Sequence, residues 1–226
     1  SSDQFRQYIA RGQAVEQWIA DRFDTVPSSS LNCVDNEHGA AVLTDFGSGI
    51  YHLVLSNEAV ASLDETLLNA GITRYDENVS EALQIQAGIP DVAHDNVNEF
   101  VPQMMNVQAL DAIDFGKGCY MGQEVVARTR YLGKNKRAAY VFCVPASLSV
   151  EPGAMLEKQL GDNWRRGGAI IRCAKLGHET WLMAVLNNDT SEQDVFRIKD
   201  TSSPTFSCQP LPYSVEQETN NVRGRS

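Results

Sequence analysis

The period of the hydrophobic pattern in this chain changes near residues 131–137. After that point, short apolar runs alternate with turns rich in Gly, Asn and Asp. The runs cover residues 138–144, 154–158, 168–173, 181–186, 195–198 and 205–209. Several short strands at such spacing are typical of a small antiparallel barrel. We therefore predict a C-terminal antiparallel β-barrel over residues 133–213, followed by a disordered tail over 214–226 that has few apolar residues.

The part of the chain before this change mixes helical and strand patterns. Apolar residues at helical spacing over 3–23 predict one or two amphipathic helices, which Gly12 interrupts. Strands are predicted over 31–34, 40–46, 50–55 and 72–75, with a hairpin at 47–49, and helices between Asn57 and Gly71 and over 80–87. This interleaving predicts an α+β domain over residues 1–132, with an antiparallel sheet covered on one face.

A basic island lies inside an acidic chain. From Lys117 to Arg137 there are six Lys or Arg residues and one acid, Glu124, which gives a local charge of +5 in a chain of formal charge −10. A sequence pI of about 4.8 argues against wholesale coating of nucleic acid, so any anion contact should be local. The run from Arg128 to Arg137 is either a solvated helix end or a grip on a polyanion, and Arg165–Arg166 could extend that grip.

The island begins with the stretch Lys117-Gly118-Cys119-Tyr120-Met121-Gly122-Gln123-Glu124. Its two glycines permit a tight loop, and residues 123–130 have helical character. Cys119 would then lie close to a helix N-terminus, where the macrodipole favours a thiolate or a bound anion. Lys117 acts in the same direction. The pattern indicates a reactive thiol, and the alternative is a small packed residue beside a turn.

The five cysteines are odd in number and widely spread, and the histidines show no ligand spacing. A disulfide framework and a self-contained metal site are therefore not expected. Cys143, Cys173 and Cys208 fall in predicted strands and are expected to be packed as small hydrophobic residues. No apolar run approaches the roughly 20 residues of a membrane span, so we expect no membrane partner and a cytoplasmic location.

The stretch 117–128 and the residues 135–138 closely resemble the signature of the YgfZ-type folate-binding, tRNA-modifying proteins. These proteins are relatives of the aminomethyltransferase (T-protein) of the glycine cleavage system. The resemblance is strong over residues 80–216 and weak over 1–79. Further matching segments are 87–90, 100–103, 106–110, 163–166, 187–189 and 210–214.

This resemblance implies an aminomethyltransferase-like folate-binding fold with a ferredoxin-like α+β half. It also implies a tetrahydrofolate cofactor and a role in iron–sulfur cluster assembly or repair, and thereby in tRNA methylthiolation. The partners would be iron–sulfur enzymes or assembly proteins, with tRNA involved only indirectly. The reactive residues would be Cys119 and Lys117. The expected folate-binding residues are Gln86, Tyr120, Gly122, Gln123, Glu124, Arg128 and Arg137.

The chain departs from the family pattern in its expected folate site. Gln86 stands where family members usually carry a pterin-binding Glu, and an amide in that place should weaken affinity by about 1–2 kcal/mol. Ser80 stands where a ring-stacking Trp is common. The family's N-terminal domain has no counterpart here, which implies a partial folate site. The alternative functions are a tetrahydrofolate-dependent aminomethyl transferase, which Cys119 disfavours, and a degenerate module that no longer binds folate.

Overall fold

A computed structural model describes residues 4–28, 32–44, 50–131 and 135–215. The described chain divides into two compact units, Ser1–Asp76 and Glu77–Ser226. The predicted boundary at 131–137 does not coincide with this division, because residues 77–131 pack with the barrel strands. The predicted hairpin turn at 47–49 and residues 216–226 of the predicted tail lie outside the described residues.

The first unit is an antiparallel sheet covered by helices. Its strands pair in the order β1-β4-β3-β2. Along β4 the buried residues Tyr51 and Leu53 alternate with the exposed residues His52 and Val54, so only one face of the sheet enters the core. That core also contains Ile19 from the first helix. The elements are β1 (Phe5–Arg11), α1 (Gln13–Phe23), β2 (Cys33–Asn36), β3 (Gly39–Thr44), β4 (Ile50–Ser56) and α2 (Asn57–Asn69).

Residues 5–11 form a strand, so the helix predicted to begin near residue 3 is wrong for this segment. β1 pairs antiparallel with β4 from Phe5↔Ser56 to Arg11↔Ile50. The partner strand lies about forty residues away, and its hydrogen bonds outweigh the local helical spacing of the apolar residues. The strand predicted over 72–75 is also wrong. Tyr75 is exposed there, and Arg74 stacks on Tyr8 of β1.

The second unit confirms the predicted barrel. Among the described residues its sheet is antiparallel, with the strand order β10-β5-β8-β7-β6-β9. Phe196 and Phe206 exchange backbone hydrogen bonds of 2.8 and 3.0 Å, which brings the two ends of the sheet together. The strands are β5 (Arg137–Val144), β6 (Met155–Leu160), β7 (Asn163–Leu176), β8 (Glu179–Asn187), β9 (Phe196–Ile198) and β10 (Cys208–Gln209).

The barrel has a core inside it and a second core on its outer face. Inside, the ring of Phe142 meets those of Phe196 and Phe206 edge-on at 5.3 and 5.5 Å. Outside, Ile85 packs with Met183. β8 is therefore buried on both faces, which explains its continuous apolar run. Outside the barrel lie α3 (Glu77–Gln86), α4 (Gln123–Tyr131) and the 3₁₀ turns His94–Asn96, Pro102–Met105 and Val107–Leu110.

A β-bulge in β7 determines how α3 attaches to the barrel. Ile170 pairs with Ala184 and Arg172 pairs with Met183, so Ile171 is an extra residue between them. The bulge turns Arg172 toward α3, where its side chain is only 4% exposed. Its guanidinium donates to Glu81 at 2.7 Å, to the backbone oxygen of Ile89 at 2.8 Å and to Gln84 at 3.2 Å. Each nitrogen of this buried guanidinium therefore has an acceptor.

Candidate functional site

The thiol-bearing loop runs directly into α4, as the sequence predicts. Gly122 has a left-handed backbone with φ of 87°, and its carbonyl oxygen accepts from the amides of Val125 and Val126 at 3.1 and 3.3 Å. It therefore starts the helix and needs to be glycine for its conformation. Gly118 differs, because its φ is not in the left-handed region. The amide of Gln123 donates to the backbone oxygen of Tyr120 at 3.2 Å, so it is not free to bind an anion.

The loop presents its thiol to solvent beside exposed apolar groups. Cys119 is exposed, Met121 is 100% exposed and Val125 is more than half exposed. The ammonium of Lys117 lies 4.6 Å from the centre of the Tyr120 ring, which is a cation–π contact between the residues on either side of Cys119 in the sequence. These positions make Cys119 accessible to a large partner.

A buried side-chain amide, that of Gln103, anchors α4. Gln103 is 2% exposed, and its Nε2 donates to the backbone oxygen of Val126 at 2.7 Å. Its own backbone oxygen accepts from Nδ2 of Asn135 at 2.7 Å, just before β5 begins. Gln103 thus links the helix after the thiol loop to the first strand of the barrel. The sequence alone predicts no role for Gln103, where the one hint of its position is a single amide among apolar residues.

Asn106 serves β5 in a related way. It is fully buried, and its Oδ1 accepts from the amide of Ala139 at 3.1 Å while its Nδ2 donates to the carbonyl oxygen of the same residue at 2.7 Å. The side chain therefore takes the place of a neighbouring strand.

The hydroxyl of Tyr213 donates to the backbone oxygen of Gly88 at 2.5 Å, and the Tyr213 ring leaves no room for a Cβ at Gly88.

Gln86 is the last residue of α3 and is half-buried. Its side chain has no hydrogen-bond partner among the described residues, so its amide is available to a ligand. No hydrogen bond, ion pair or ring contact of the described residues joins it to the thiol loop. The hydroxyl of Ser80 donates to the backbone oxygen of Glu77 at 2.9 Å, one turn earlier in the same helix.

The basic run is divided between different surroundings. Glu124 and Arg128 are exposed on α4, within the segment that follows the thiol. Arg137, the first residue of β5, instead lines an open cleft of about 240 Å³ together with Arg166. The structure therefore brings Arg166 to one end of the basic run. The same cleft contains other polar residues, Asp95, Asn96, Glu99 and Asn187.

The barrel thiols are packed, as their strand positions predict. Burial raises the pKa of the Cys143 thiol to about 11, with a further contribution from Glu179. Burial likewise raises the pKa of Cys173 to about 11, and its Sγ donates to the backbone oxygen of Val150 at 3.0 Å. Cys208 is buried. Among the described residues, no cluster of three or more His, Cys, Asp or Glu could hold a metal ion, and no helix has the length and apolarity to cross a membrane.

An α+β half followed by an antiparallel barrel is an aminomethyltransferase-like arrangement. The chain superposes on aminomethyltransferase T of the glycine cleavage system from Bartonella henselae with a TM-score of 0.57 and 13% sequence identity. This similarity covers 92% of the chain and 59% of the aminomethyltransferase. At such low identity the likeness concerns the fold alone.

Sequence comparison finds similarity to the YgfZ proteins. Residues 135–201 match the β-barrel domain of YgfZ. The chain is 39% identical over 209 residues to the tRNA-modifying protein YgfZ of Pectobacterium carotovorum and 37% identical over 209 residues to that of Yersinia pestis. The resemblance seen at the thiol motif is thus confirmed, and the chain is related to the YgfZ proteins over about 91% of its length. It spans about 62% of the length of those relatives.

Proposed function

We propose that this chain is part of a folate-binding accessory protein that supports iron–sulfur cluster assembly or repair, and thereby tRNA methylthiolation. The observation that carries the proposal is the exposed thiol of Cys119, in a cationic loop that runs into α4. The relatives are named tRNA-modifying proteins, which supports a role of this chain in tRNA modification. Its partners would be iron–sulfur enzymes or assembly proteins in the cytoplasm, with tRNA affected indirectly.

Cys119 is the reactive group in this proposal. An exposed thiolate can attack a disulfide or coordinate a soft metal centre of a partner, whereas a buried thiol can do neither. The Lys117 ammonium, held against Tyr120, places a positive charge in the same loop, where it can attract an anionic group of a partner. Met121 and Val125, two and six residues after Cys119, add exposed apolar surface that a partner protein can cover.

The side chain of Gln86 fits a pterin edge, because its amide has no partner among the described residues and both donates and accepts hydrogen bonds. Tyr120 offers a ring on which the pterin can stack, and Gly122, Gln123 and Glu124 of the same loop would line the folate. Arg128 and Arg137 supply positive charge for the carboxylates of a folate tail. A bound tetrahydrofolate would supply a one-carbon carrier.

Folate binding is tested by restoring the family's carboxylate. We expect Gln86→Glu to increase the affinity for tetrahydrofolate about tenfold, because a carboxylate forms charge-assisted hydrogen bonds with the pterin amino and ring N–H groups. Isothermal titration calorimetry measures the change. Gln209→Glu, which adds the same charge at an exposed position of β10, should leave the affinity unchanged. If neither the parent chain nor Gln86→Glu gives heat or a thermal shift with tetrahydrofolate, the folate proposal fails.

The role of the thiol is tested in cells. We expect Cys119→Ala in the full-length protein to lower tRNA methylthiolation to the level seen without the protein. Cys33→Ala removes another exposed thiol, on β2, and should have no effect. Undiminished methylthiolation in the Cys119→Ala strain would remove Cys119 as the working residue. Aminomethyl transfer to tetrahydrofolate that survived Cys119→Ala would instead favour the alternative, a one-carbon transferase.

A further inference from the structure

The cleft on the outer face of the barrel owes its arginine to a second bulge in β7. Leu156 pairs with Gly168 and Glu157 pairs with Arg166, so Gly167 is an extra residue that opposes no residue of β6. Leu156 belongs to the inner core, and strict alternation would place Arg166 on that inner side as well. The extra residue turns Arg166 outward, to the face that carries Arg137.

The opposite wall of the cleft is fixed to the barrel. Asn96 is only 4% exposed, and its Nδ2 donates to the backbone oxygen of Ile170 at 3.3 Å. Gly153 has φ of 89°, and the Cβ of Asp95 lies 3.1 Å from where a Gly153 Cβ would stand. A glycine is therefore required for this close approach. These contacts hold the wall in place and do not use the carboxylates of Asp95 and Glu99.

Charges of both signs line this cleft without neutralising each other. The guanidiniums of Arg137 and Arg166 have no hydrogen-bond or ion-pair partner among the described residues. The carboxylates of Asp95 and Glu99 have none either. The Oδ1 of the buried Asn96 side chain also lacks a partner among the described residues. Arg172, six residues further along the same strand, shows the contrasting case, since each of its guanidinium nitrogens donates to an acceptor.

We propose that this cleft binds a small zwitterion, such as a free α-amino acid. Arg137 and Arg166 would hold the carboxylate, and Asp95 and Glu99 would hold the ammonium. The volume of about 240 Å³ lies below the roughly 300–1,000 Å³ of pockets for drug-sized ligands, which fits a ligand of this size. Asp95 and Glu99 repel a ligand that carries only negative charge, so a polyanion does not suit the cleft. This site shares only Arg137 with the folate proposal, whereas Asp95, Glu99 and Arg166 belong to this site alone. Binding of glycine and binding of the folate tail can therefore be tested separately.

Nuclear magnetic resonance titration of the 226-residue chain tests this site. The probes are glycine as a zwitterion, acetate as a carboxylate alone, methylammonium as an ammonium alone, and p-aminobenzoyl-glutamate as the folate tail. We expect glycine to shift the amide signals of Gly167, Gly168 and Asn187 in a saturable way. Acetate pairs only with the arginines of the cleft, and methylammonium only with its carboxylates. Each should therefore bind at least about tenfold more weakly than glycine.

Neighbouring arginines give a matched pair of variants. Arg166→Ala should weaken glycine binding about tenfold, whereas Arg165→Ala, which removes the same charge outside the cleft lining, should leave it unchanged. Arg166→Gln serves as a second variant if Arg166→Ala does not fold. Acetate that binds as well as glycine, or p-aminobenzoyl-glutamate that binds more tightly, would overturn the proposal in favour of a carboxylate site. The absence of any saturable shift with glycine would overturn it as well.

Discussion

The barrel with α3 and the loop before α4 place their thiols and other distinctive side chains in opposite surroundings. In the barrel, Arg172 is buried with an acceptor for each guanidinium nitrogen, and Cys173 is a packed thiol. In the loop, Cys119 is exposed and Met121 has no protein cover. The difference shows that burial and partners, rather than residue type, separate stabilising groups from groups available for chemistry.

The largest expected effect comes from removing the carboxylate partner of the buried Arg172. Glu81→Ala should lower the free energy of unfolding by about 3–5 kcal/mol, because it leaves the Arg172 charge buried without its carboxylate. Urea unfolding followed by circular dichroism measures the change. The control is Asp64→Ala, which breaks the exposed Arg74–Asp64 pair at the surface and should cost about 0–1 kcal/mol. Equal costs for the two variants would contradict the distinction drawn for Arg172.

Glycine substitutions give the next largest contrast. Gly168→Ala should destabilise the chain by about 1–3 kcal/mol, because a Cβ there would stand 2.0 Å from the backbone oxygen of Val185 and 2.6 Å from the Leu186 side chain. Gly118→Ala, in the thiol loop, meets no atom within 4 Å and should leave the melting temperature almost unchanged. Thermal melting compares the variants. A Gly118→Ala chain that melts as early as the Gly168→Ala chain would show that the loop is packed.

Thiol reactivity sharpens the comparison without a mutation. At pH 7.5 iodoacetamide should alkylate Cys119 at least about tenfold faster than Cys173, because Cys119 is exposed and burial raises the pKa of Cys173 to about 11. Peptide mass mapping at timed intervals gives both rates from one sample. Cys33, which is also exposed, supplies an internal reference. Similar rates for all three thiols would mean that the loop does not present Cys119 as described.

The last expected effect is a decline of stability in alkaline solution. The pKa values of the Cys143 and Cys173 thiols are raised to about 11 in the folded chain, so between about pH 9 and 11 the unfolded chain releases protons that the folded chain retains. The unfolding free energy should therefore fall across this window. The urea midpoint at pH 8 and pH 10.5 measures the change, and Cys173→Ala should reduce it. A midpoint that rises with pH would contradict this assignment.

The alternating pattern of the barrel could be predicted from the sequence because the period of two is local and survives without knowledge of partners. The helix after Gly122 could be predicted because its pattern is also local, within nine residues. β1 could not, since its hydrogen bonds go to β4, which lies far away in the sequence. Gln103 and Asn106 were also beyond reach, because an amide gains its role from the backbone groups that it meets.

The sequence alone determined the barrel, the thiol loop with Cys119 and Lys117, and the resemblance to the YgfZ proteins. These features depend on neighbouring residues and on a contiguous motif. Only the tertiary structure decided that Arg172 fixes α3, and that Arg166 lines the same cleft as Arg137. Each outcome depends on one extra residue in β7, because a bulge shifts the in-and-out alternation of the side chains on one side of it relative to those on the other.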